Sequence, residues 1–356
     1  MKKKILSTFI CVSALGGNLT NIYAENDVTS SVQPANNPFF QKQGYLQPAP
    51  YGIDAEYSWT KPGGDGKNIT FVDMENGWLL DHEDLVDKNI QLVPGSVNLL
   101  HQSGHGTSVL GIVVASDNTV GIVGTSPKAT AMVASTTRDN GNGNMEDAIM
   151  QSTKVMQPGD VLLLEMQVNS TLGLAPIEYD VDKFNAIKQA TDKGIIVVEA
   201  AANDGIDLDT LTNPEGKYIF NRNSPDFKDS GAIMVGAASS SLPHKRLYFS
   251  NFGSRVDTYA WGENVFTTKS LDDNSSLKDK YTNNFSGTSS ASPIIAGAAV
   301  NLQGIAKKTL GRPLTPKEMR ELLSDPTTAT LSEDPANDRI GVMPNLKAII
   351  SKLENT

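Results

Sequence analysis

Short apolar runs alternate with amphipathic segments along most of the chain after residue 68. The runs lie at 68–73, 130–135, 161–166, 195–201 and 232–238. Nearly continuous apolar runs of this length are typical of parallel strands that are buried on both faces. Strands alternating with helical segments predict an α/β fold in three layers, with a largely parallel sheet and helices on both of its faces.

Two helices are predicted between these runs, at 145–156 and 177–194. In the second, Val181, Phe184 and Ile187 fall on one stripe at helical spacing. Such a stripe is typical of a helix that packs one side against a core. We therefore expect both helices to cover the sheet.

A capping box predicts another helix near the C-terminus. Thr315 supplies the hydroxyl cap, Pro316 stands in the first turn, and Glu318 follows three residues after the cap. This combination is a typical start signal, since both side chains satisfy free N–H groups. We expect the helix to begin at Pro316.

The first residues have the pattern of a secretory signal peptide. Three lysines precede an apolar stretch that is too short for a membrane span, and Ala24 suits cleavage. The expected organisation is a signal peptide at 1–24, an extended arm at 25–50 and one domain at 51–356. The protein would be secreted or periplasmic, without a membrane anchor after cleavage. Cys11, the only cysteine, would leave with the signal peptide.

Composition and charge exclude one class of partner. The chain has 356 residues, 39% of them hydrophobic, with a formal net charge of −10 and a pI near 4.9. A nucleic-acid-binding protein would need a basic face, so we expect no such partner. We also expect a monomer.

A serine-rich stretch, "NFSGTSSASPIIAGAAV" at 284–300, leads directly into an apolar helix. A serine hydroxyl is a weak nucleophile until a base removes its proton, and that base is usually a histidine. Of the four histidines, His105 is distinctive because glycines flank it and an apolar helix follows. Asp73 ends the first apolar run, where α/β sheets place their functional residues. Each signal is weak when it is taken alone.

Taken together, these segments resemble the subtilisin-like serine proteases over about residues 45–352. "FVDMENGWLLDHEDL", "GHGTSVLGI" and "SGTSSASPIIAGAA" occur in the family's order of acid, histidine and serine. The resemblance implies a serine endopeptidase that cleaves peptides or proteins and binds calcium as a structural ion. It assigns Asp73, His105 and Ser289 to the triad, and Asn203 of "VEAAANDG" to the oxyanion hole.

The chain departs from the family pattern at three places. Met74 and Glu75 follow Asp73, where the family usually has Ser or Thr and then Gly. Ala202 replaces a glycine before Asn203. Glu165, Met166 and Gln167 replace a Ser-Leu-Gly run that borders the pocket for the residue before the scissile bond.

These changes predict a restricted specificity but leave its kind open. A carboxylate of Glu165 pointing into the pocket would favour Lys or Arg in the substrate. If Glu165 points away, alternation sends Met166 the other way, and an apolar preference narrowed by Gln167 follows.

The loop 116–127 resembles the family's calcium loop. Calcium prefers six or more oxygen ligands, many of them backbone carbonyls. The resemblance implies side-chain oxygens from Gln47, Asp84 and Asn118. It implies carbonyl oxygens from Ser116, Val120 and Ile122.

The serine stretch has two alternative interpretations. The elbow of α/β-hydrolases requires a histidine after the serine in the chain, and none follows His244, so that reading fails. A catalytically silent relative that binds peptides in the same groove remains the alternative function.

Overall fold

A nine-stranded sheet forms the middle layer of this computed structural model, which describes residues 32–272 and 276–355. The predicted signal peptide, with Cys11, lies outside the described residues. From one edge to the other the strands are β12 (Ala329–Leu331), β13 (Val342–Pro344), β9 (Thr258–Trp261), β8 (Ile233–Ala238), β7 (Ile196–Ala200), β4 (Val161–Leu164), β1 (Thr70–Glu75), β3 (Thr130–Ser135) and β2 (Gln91–Leu92). Only β12 runs antiparallel to its neighbour within this sheet.

Two hairpins lie outside this sheet. They are β5 (Gln167–Asn169) with β6 (Leu174–Pro176), and β10 (Val265–Thr268) with β11 (Tyr281–Phe285). The strand predicted at 161–166 therefore ends early, at Leu164. Glu165 and Met166 form the link between the main sheet and the β5–β6 hairpin.

Helices cover both faces of the sheet, as predicted, so the three-layer α/β fold is confirmed. The helices are α1 (Ala55–Trp59), α2 (Ser103–Val114), α3 (Met145–Val155), α4 (Val181–Asp192), α5 (Thr288–Thr309), α6 (Pro316–Leu323), α7 (Pro335–Asp338) and α8 (Leu346–Glu354). One large core cluster joins α2 and α5 to one face, and a second joins α3 and α4 to the other. In the part of the chain that the structure describes, no helix is long and apolar enough to cross a membrane.

Helix starts follow local side-chain chemistry. The capping box of α6 is present as predicted, with Thr315 and Glu318 each bonding the other's backbone N–H. The helix predicted at 177–194 instead begins at Val181, because the Asp180 side chain caps it. Val181 is 58% exposed, so its place in the apolar stripe was wrong, whereas Ile187 is buried.

Strand alternation decides which side chains of β1 face the helices with the predicted catalytic residues. Phe71 packs in the α2/α5 core, while Val72 and Met74 pack in the α3/α4 core. Because successive side chains alternate, Asp73 and Glu75 both face the α2/α5 side. Two acids at the carboxyl end of one strand thus share a face with His105 and Ser289.

The described part of the predicted arm packs into the same core as the rest of the chain. It forms short 3-10 helices rather than an extended strand, at Pro34–Asn36, Phe40–Lys42 and Gly44–Leu46. The buried side chains of Phe40, Tyr45 and Leu46 belong to the α2/α5 core cluster. The arm is therefore part of the structural unit that carries the site.

Candidate active site

His105 lies in the first turn of α2 and is paired with Glu75. Its Nδ1 is 2.5 Å from Oε1 of Glu75. Burial favours the neutral ring, but the charge and hydrogen bond of Glu75 outweigh burial and raise the pKa of His105. The ring is still 42% exposed, so water moderates both effects. Phe285 lies edge-on to the ring, with 5.3 Å between ring centres.

The structure corrects the prediction that Asp73 orients His105. Oδ2 of Asp73 accepts a 2.6 Å hydrogen bond from Nε1 of Trp78, and its Oδ1 has no hydrogen-bond partner in the part of the chain that the structure describes. Burial, followed by the nearby charge of Glu75, raises the pKa of Asp73 well above its usual value. Asp73 lies two residues before Glu75 on the same face of β1. Glu75, and not Asp73, therefore reaches the imidazole.

A sequence signal for Glu75 was available. The family's acid is usually followed by Ser or Thr and then Gly, and Glu75 is followed by Asn76 and Gly77. This places a small polar residue and the glycine at the expected distance after the acid. The departure noted at Met74 and Glu75 was therefore a two-residue shift of the acid, from Asp73 to Glu75.

Ser289 lies in the first turn of α5, which packs against α2. Gly287, at the N-cap, has a φ of 108° and a ψ of 175°, a conformation that is essentially restricted to glycine. The serine is buried, with 7% of its surface exposed. Within residues 32–272 and 276–355, no hydrogen bond joins His105 to Ser289. Such bonds are often long in a free enzyme and shorten when substrate binds.

Asn203 follows β7 and is held beside the start of α5. Its Oδ1 accepts hydrogen bonds from the backbone N–H of Thr288, at 2.8 Å, and from the Thr288 hydroxyl, at 3.1 Å. With the amide oxygen held in this way, the amide NH₂ is left to donate elsewhere. The Thr288 N–H is bound by Asn203 and the Ser290 N–H by the Gly287 carbonyl, so the Ser289 N–H and the Asn203 amide are the donors left beside Ser289.

Glu165 directly follows β4 and is buried, with 6% of its surface exposed. Burial, then the charges of Glu75 and Asp73, raise the pKa of Glu165 well above its usual value, while the Ser289 hydroxyl opposes this. Neither carboxyl oxygen has a hydrogen-bond partner among the residues that the structure describes. Glu165 therefore faces the catalytic residues and not an open pocket.

The other residues predicted to contact substrate lie around Glu165. Met166 is partly buried against the α3/α4 core, on the opposite face of the sheet. Oε1 of Gln167 accepts a 3.2 Å hydrogen bond from the backbone N–H of Asn203, so this side chain spans the gap between two segments. Ala202 has a φ of 73°, a left-handed conformation that favours the glycine usual in the family.

Asp84 is the centre of the predicted calcium site. Its Oδ2 accepts hydrogen bonds from the N–H of Ile122, at 3.1 Å, and from the hydroxyl of Tyr281, at 2.8 Å. Its Oδ1 is buried, and no described residue donates a hydrogen bond to it. Burial raises the pKa of Asp84 to about 7. A buried carboxyl with one free oxygen fits a cation ligand, because a cation would favour its charged form.

The remaining predicted calcium ligands are only partly gathered at Asp84. Ser116 donates its N–H to the Asp84 carbonyl, whereas Asn118 uses its Oδ1 to accept from the N–H of Val120. From the arm, Gln43 and not Gln47 reaches this loop, bonding both backbone groups of Val123. The backbone of Gln47 pairs within its own segment, with Gly44 and Asp54.

Two of the other histidines, His82 and His244, have different surroundings. Nε2 of His82 lies 2.8 Å from the Lys280 carbonyl, and burial lowers the pKa of this ring. His244 bonds two backbone carbonyls, those of Ser239 and Pro50. Neither pairs with a carboxylate in the residues that the structure describes, which supports the choice of His105.

Comparison with known proteins finds similarity to one family over most of the chain. The model of the subtilase family matches residues 81–342, a range that includes His105, Asn203 and Ser289 but begins after both acids of β1. Thermitase from Thermoactinomyces vulgaris is 30% identical over 268 residues, which are 74% of this chain and 83% of thermitase. Subtilisin DY from Bacillus licheniformis is 30% identical over 258 residues, 71% of this chain and 84% of that protein.

A solved structure of a protease from Pseudoalteromonas arctica PAMC 21717 has the same fold. Its TM-score is 0.64 at 20% identity, covering 89% of this chain and 99% of that one. The family match spans most of the chain and the relatives agree with it, so the resemblance stated from the sequence is confirmed. The chain belongs to the subtilase family of serine endopeptidases.

Proposed function

We propose that the protein hydrolyses peptide bonds through a triad of Ser289, His105 and Glu75. The 2.5 Å contact between His105 Nδ1 and Glu75 Oε1 carries this proposal. With Nδ1 occupied, the proton of the neutral ring is held there, and Nε2 is the nitrogen that takes the proton of Ser289. The ring then becomes an imidazolium, whose charge the Glu75 carboxylate stabilises.

The oxyanion of the tetrahedral intermediate is bound by Asn203 and by the start of α5. Thr288 holds the Asn203 oxygen, so the amide NH₂ donates to the developing charge together with the Ser289 N–H. Donors fixed before the reaction cost no reorganisation when charge develops. The helix N-terminus adds its positive dipole end at the same place.

A restricted specificity is proposed to come from Gln167. The carboxyl oxygens of Glu165 are enclosed and Met166 packs on the other face, so neither reaches a substrate side chain. Gln167 is hydrogen-bonded to Asn203 and narrows the gap between the segment after β4 and the segment after β7. The Gln167→Gly variant should accept larger substrate residues before the scissile bond. Profiling on a peptide library measures this, and an unchanged profile would contradict it.

Calcium binding at Asp84 is proposed as a structural feature, supported by the free Oδ1. Asp84 and the loop carbonyls would hold the ion, which plays no part in the chemistry. A ligand that binds only the native state adds stability by mass action. A chelator should therefore lower the melting temperature of the wild type but not of Asp84→Asn. Equal melting temperatures of the wild type with and without chelator would show that Tyr281 and the loop N–H groups alone satisfy Asp84.

Export and the monomeric state remain proposals from the sequence. The secreted or periplasmic protein should begin near Glu25, and it should elute as a monomer. N-terminal sequencing of the exported protein and light scattering measure these two properties. An exported chain that retains Cys11 would contradict the first.

The central experiment is labelling by a fluorophosphonate, followed by peptide hydrolysis assays. Ser289 should be the labelled residue, and Ser289→Ala and His105→Ala should each remove most activity. Their combination should add little, because the members of a triad act as a unit. Ser290→Ala and His82→Ala are matched controls that should keep activity. An unlabelled, inactive wild type would favour the silent peptide-binding relative.

A further inference from the structure

The position of Glu165 follows from the register of the sheet. β4 and β1 are parallel neighbours, with Leu163 opposite Asp73 and Leu164 opposite Met74. Paired residues of parallel strands share a face, and successive residues alternate. Leu163 packs in the α2/α5 core and Leu164 in the other. Glu165 therefore returns to the α2/α5 face, beside Glu75 and toward the start of α5.

The surroundings of Glu165 supply negative charge and a hydroxyl. Besides burial, the groups that influence the pKa of its carboxyl are Glu75 and Asp73 of β1 and Ser289 of α5. No lysine or arginine is among them, and His105 of α2 is already paired with Glu75. Buried carboxyls that crowd together without a cation cannot all ionise. Burial and these neighbours raise the pKa of Glu165, and they favour its neutral form.

We propose that Glu165 is a further catalytic residue, which acts as a neutral carboxylic acid and donates a hydrogen bond to Oγ of Ser289 when negative charge develops there. The proposal rests on Ser289 being the nucleophile. Negative charge develops on Oγ and then on the substrate oxygen during attack. A neutral O–H beside that charge stabilises it, whereas a carboxylate would repel it. The proton stays on Glu165 throughout, and His105 remains the base.

Ionisation of Glu165 should therefore switch the enzyme off at alkaline pH. The ionised Glu165 would then add negative charge beside Glu75, next to the oxygen that must carry charge. In the folded enzyme, loss of activity at high pH would then reflect loss of the Glu165 proton and not unfolding. A merely structural role would leave the pH profile of the folded enzyme unchanged.

The test is the pH dependence of two rates in the full chain. One is the labelling of Ser289 by an uncharged fluorophosphonate, and the other is kcat/KM for a peptide without charged side chains. The Glu165→Gln variant keeps a neutral donor that cannot ionise. Its alkaline limb should move up by at least about one pH unit, which is a tenfold gain in rate on that side.

Glu199→Gln is the matched control. Glu199 is also buried with a raised pKa, caused by burial and then by Glu178, but its side chain belongs to the opposite face of β7. The control should keep the wild-type pH profile. If Glu165→Gln fails to fold, as judged by thermal unfolding, Glu165→Ser is the second neutral replacement, and its alkaline limb should also move up.

Two results would overturn the proposal. An identical profile in the wild type and in the folded neutral variant would mean that Glu165 does not set the alkaline limb. A loss of more than about 100-fold at every pH in folded Glu165→Gln would show that the carboxylate is required, as a base. A wild type that is never labelled would overturn the proposed function as well, so the two failures are distinguishable.

Discussion

Two buried groups of carboxyls lie on opposite faces of the same sheet, and they differ in the cation that each surrounds. The histidine cluster is Asp73 and Glu75 beside His105, with Glu165 next to these two acids. The arginine cluster is Glu178, Glu199 and Asp257 around the fully buried Arg255. In the second, the guanidinium bonds Glu178 at 2.7 Å and Asp257 at 2.8 Å.

The difference between the cations explains the difference in chemistry. An arginine is always charged, so Arg255 keeps its charge at every pH and donates hydrogen bonds to Glu178 and Asp257. Burial alone would lower the pKa of Arg255, but the surrounding carboxylates outweigh burial and raise this pKa above its usual value. A histidine can lose its charge near neutral pH, so the histidine cluster can exchange protons. The same residue types thus make a structural site on one face and a candidate catalytic site on the other.

Removing the charge of Glu75 should have the largest effect. The Glu75→Gln variant should lose about 10³–10⁴-fold in kcat, the loss that neutralising the orienting acid causes in chymotrypsin-like triads. The amide favours the wrong tautomer of His105 and cannot stabilise the imidazolium. Steady-state kinetics on a peptide substrate measure this.

Asp73→Asn is the matched control for Glu75. Asparagine keeps an acceptor for Trp78 Nε1, so the local contact survives. Its loss in kcat should be much smaller than that of Glu75→Gln. The reverse ranking would restore Asp73 as the orienting acid.

Breaking the arginine cluster should instead reduce stability. Arg255→Met leaves Glu178 and Asp257 buried without their cation, which should lower the free energy of unfolding by about 3–5 kcal/mol. The folded fraction should keep the wild-type kcat. Urea unfolding measures the change. Arg222→Met is the control, because this partly exposed partner of Asp257 should contribute no more than about 1 kcal/mol.

The pH dependence of stability should distinguish the histidine cluster from the arginine cluster. Asp73 has a raised pKa, so the folded state binds a proton that the unfolded state releases above about pH 4. Stability should fall as pH rises through this range, by up to about 1.4 kcal/mol per pH unit for one such proton. Asp73→Asn should remove that part of the slope in urea unfolding between pH 4 and the raised pKa. An unchanged slope would mean that Asp73 is ionised.

The smallest expected effect is at Glu199. Burial, followed by the charge of Glu178, raises its pKa, and its Oε2 has no hydrogen-bond partner. Glu199→Gln replaces one neutral group by another and should change the free energy of unfolding at neutral pH by less than about 1 kcal/mol. Glu178→Gln should cost more, because it removes a charged partner of Arg255. Equal costs would show that both glutamates are ionised.

The sequence predicted much of this architecture because the signals are local. Apolar runs placed five strands of the sheet within a few residues, and the capping box placed the start of α6. The same locality produced the errors. Val181 fits a helical stripe by spacing, but the Asp180 cap leaves it at an exposed helix start.

The sequence by itself determined the α/β class and the family, since these depend on periodicity and on motifs that stand in order along the chain. Its apolar spacing did not separate Asp73 from Glu75, because both lie at the end of one strand and on one face, although Asn76 and Gly77 after Glu75 fit the family pattern. Docking of α2 against that face places the imidazole at Glu75.

The inward direction of Glu165 and the contact of Gln43 with the 116–127 loop were likewise decided by tertiary structure. The contact partners of Gln43 and Gln47 depend on how the arm packs across that loop. The orientation of Glu165 depends on the register of β4 against β1 and on where β4 ends. Register and docking are set by packing between distant segments, and hydrophobic spacing within one segment contains no information about that packing.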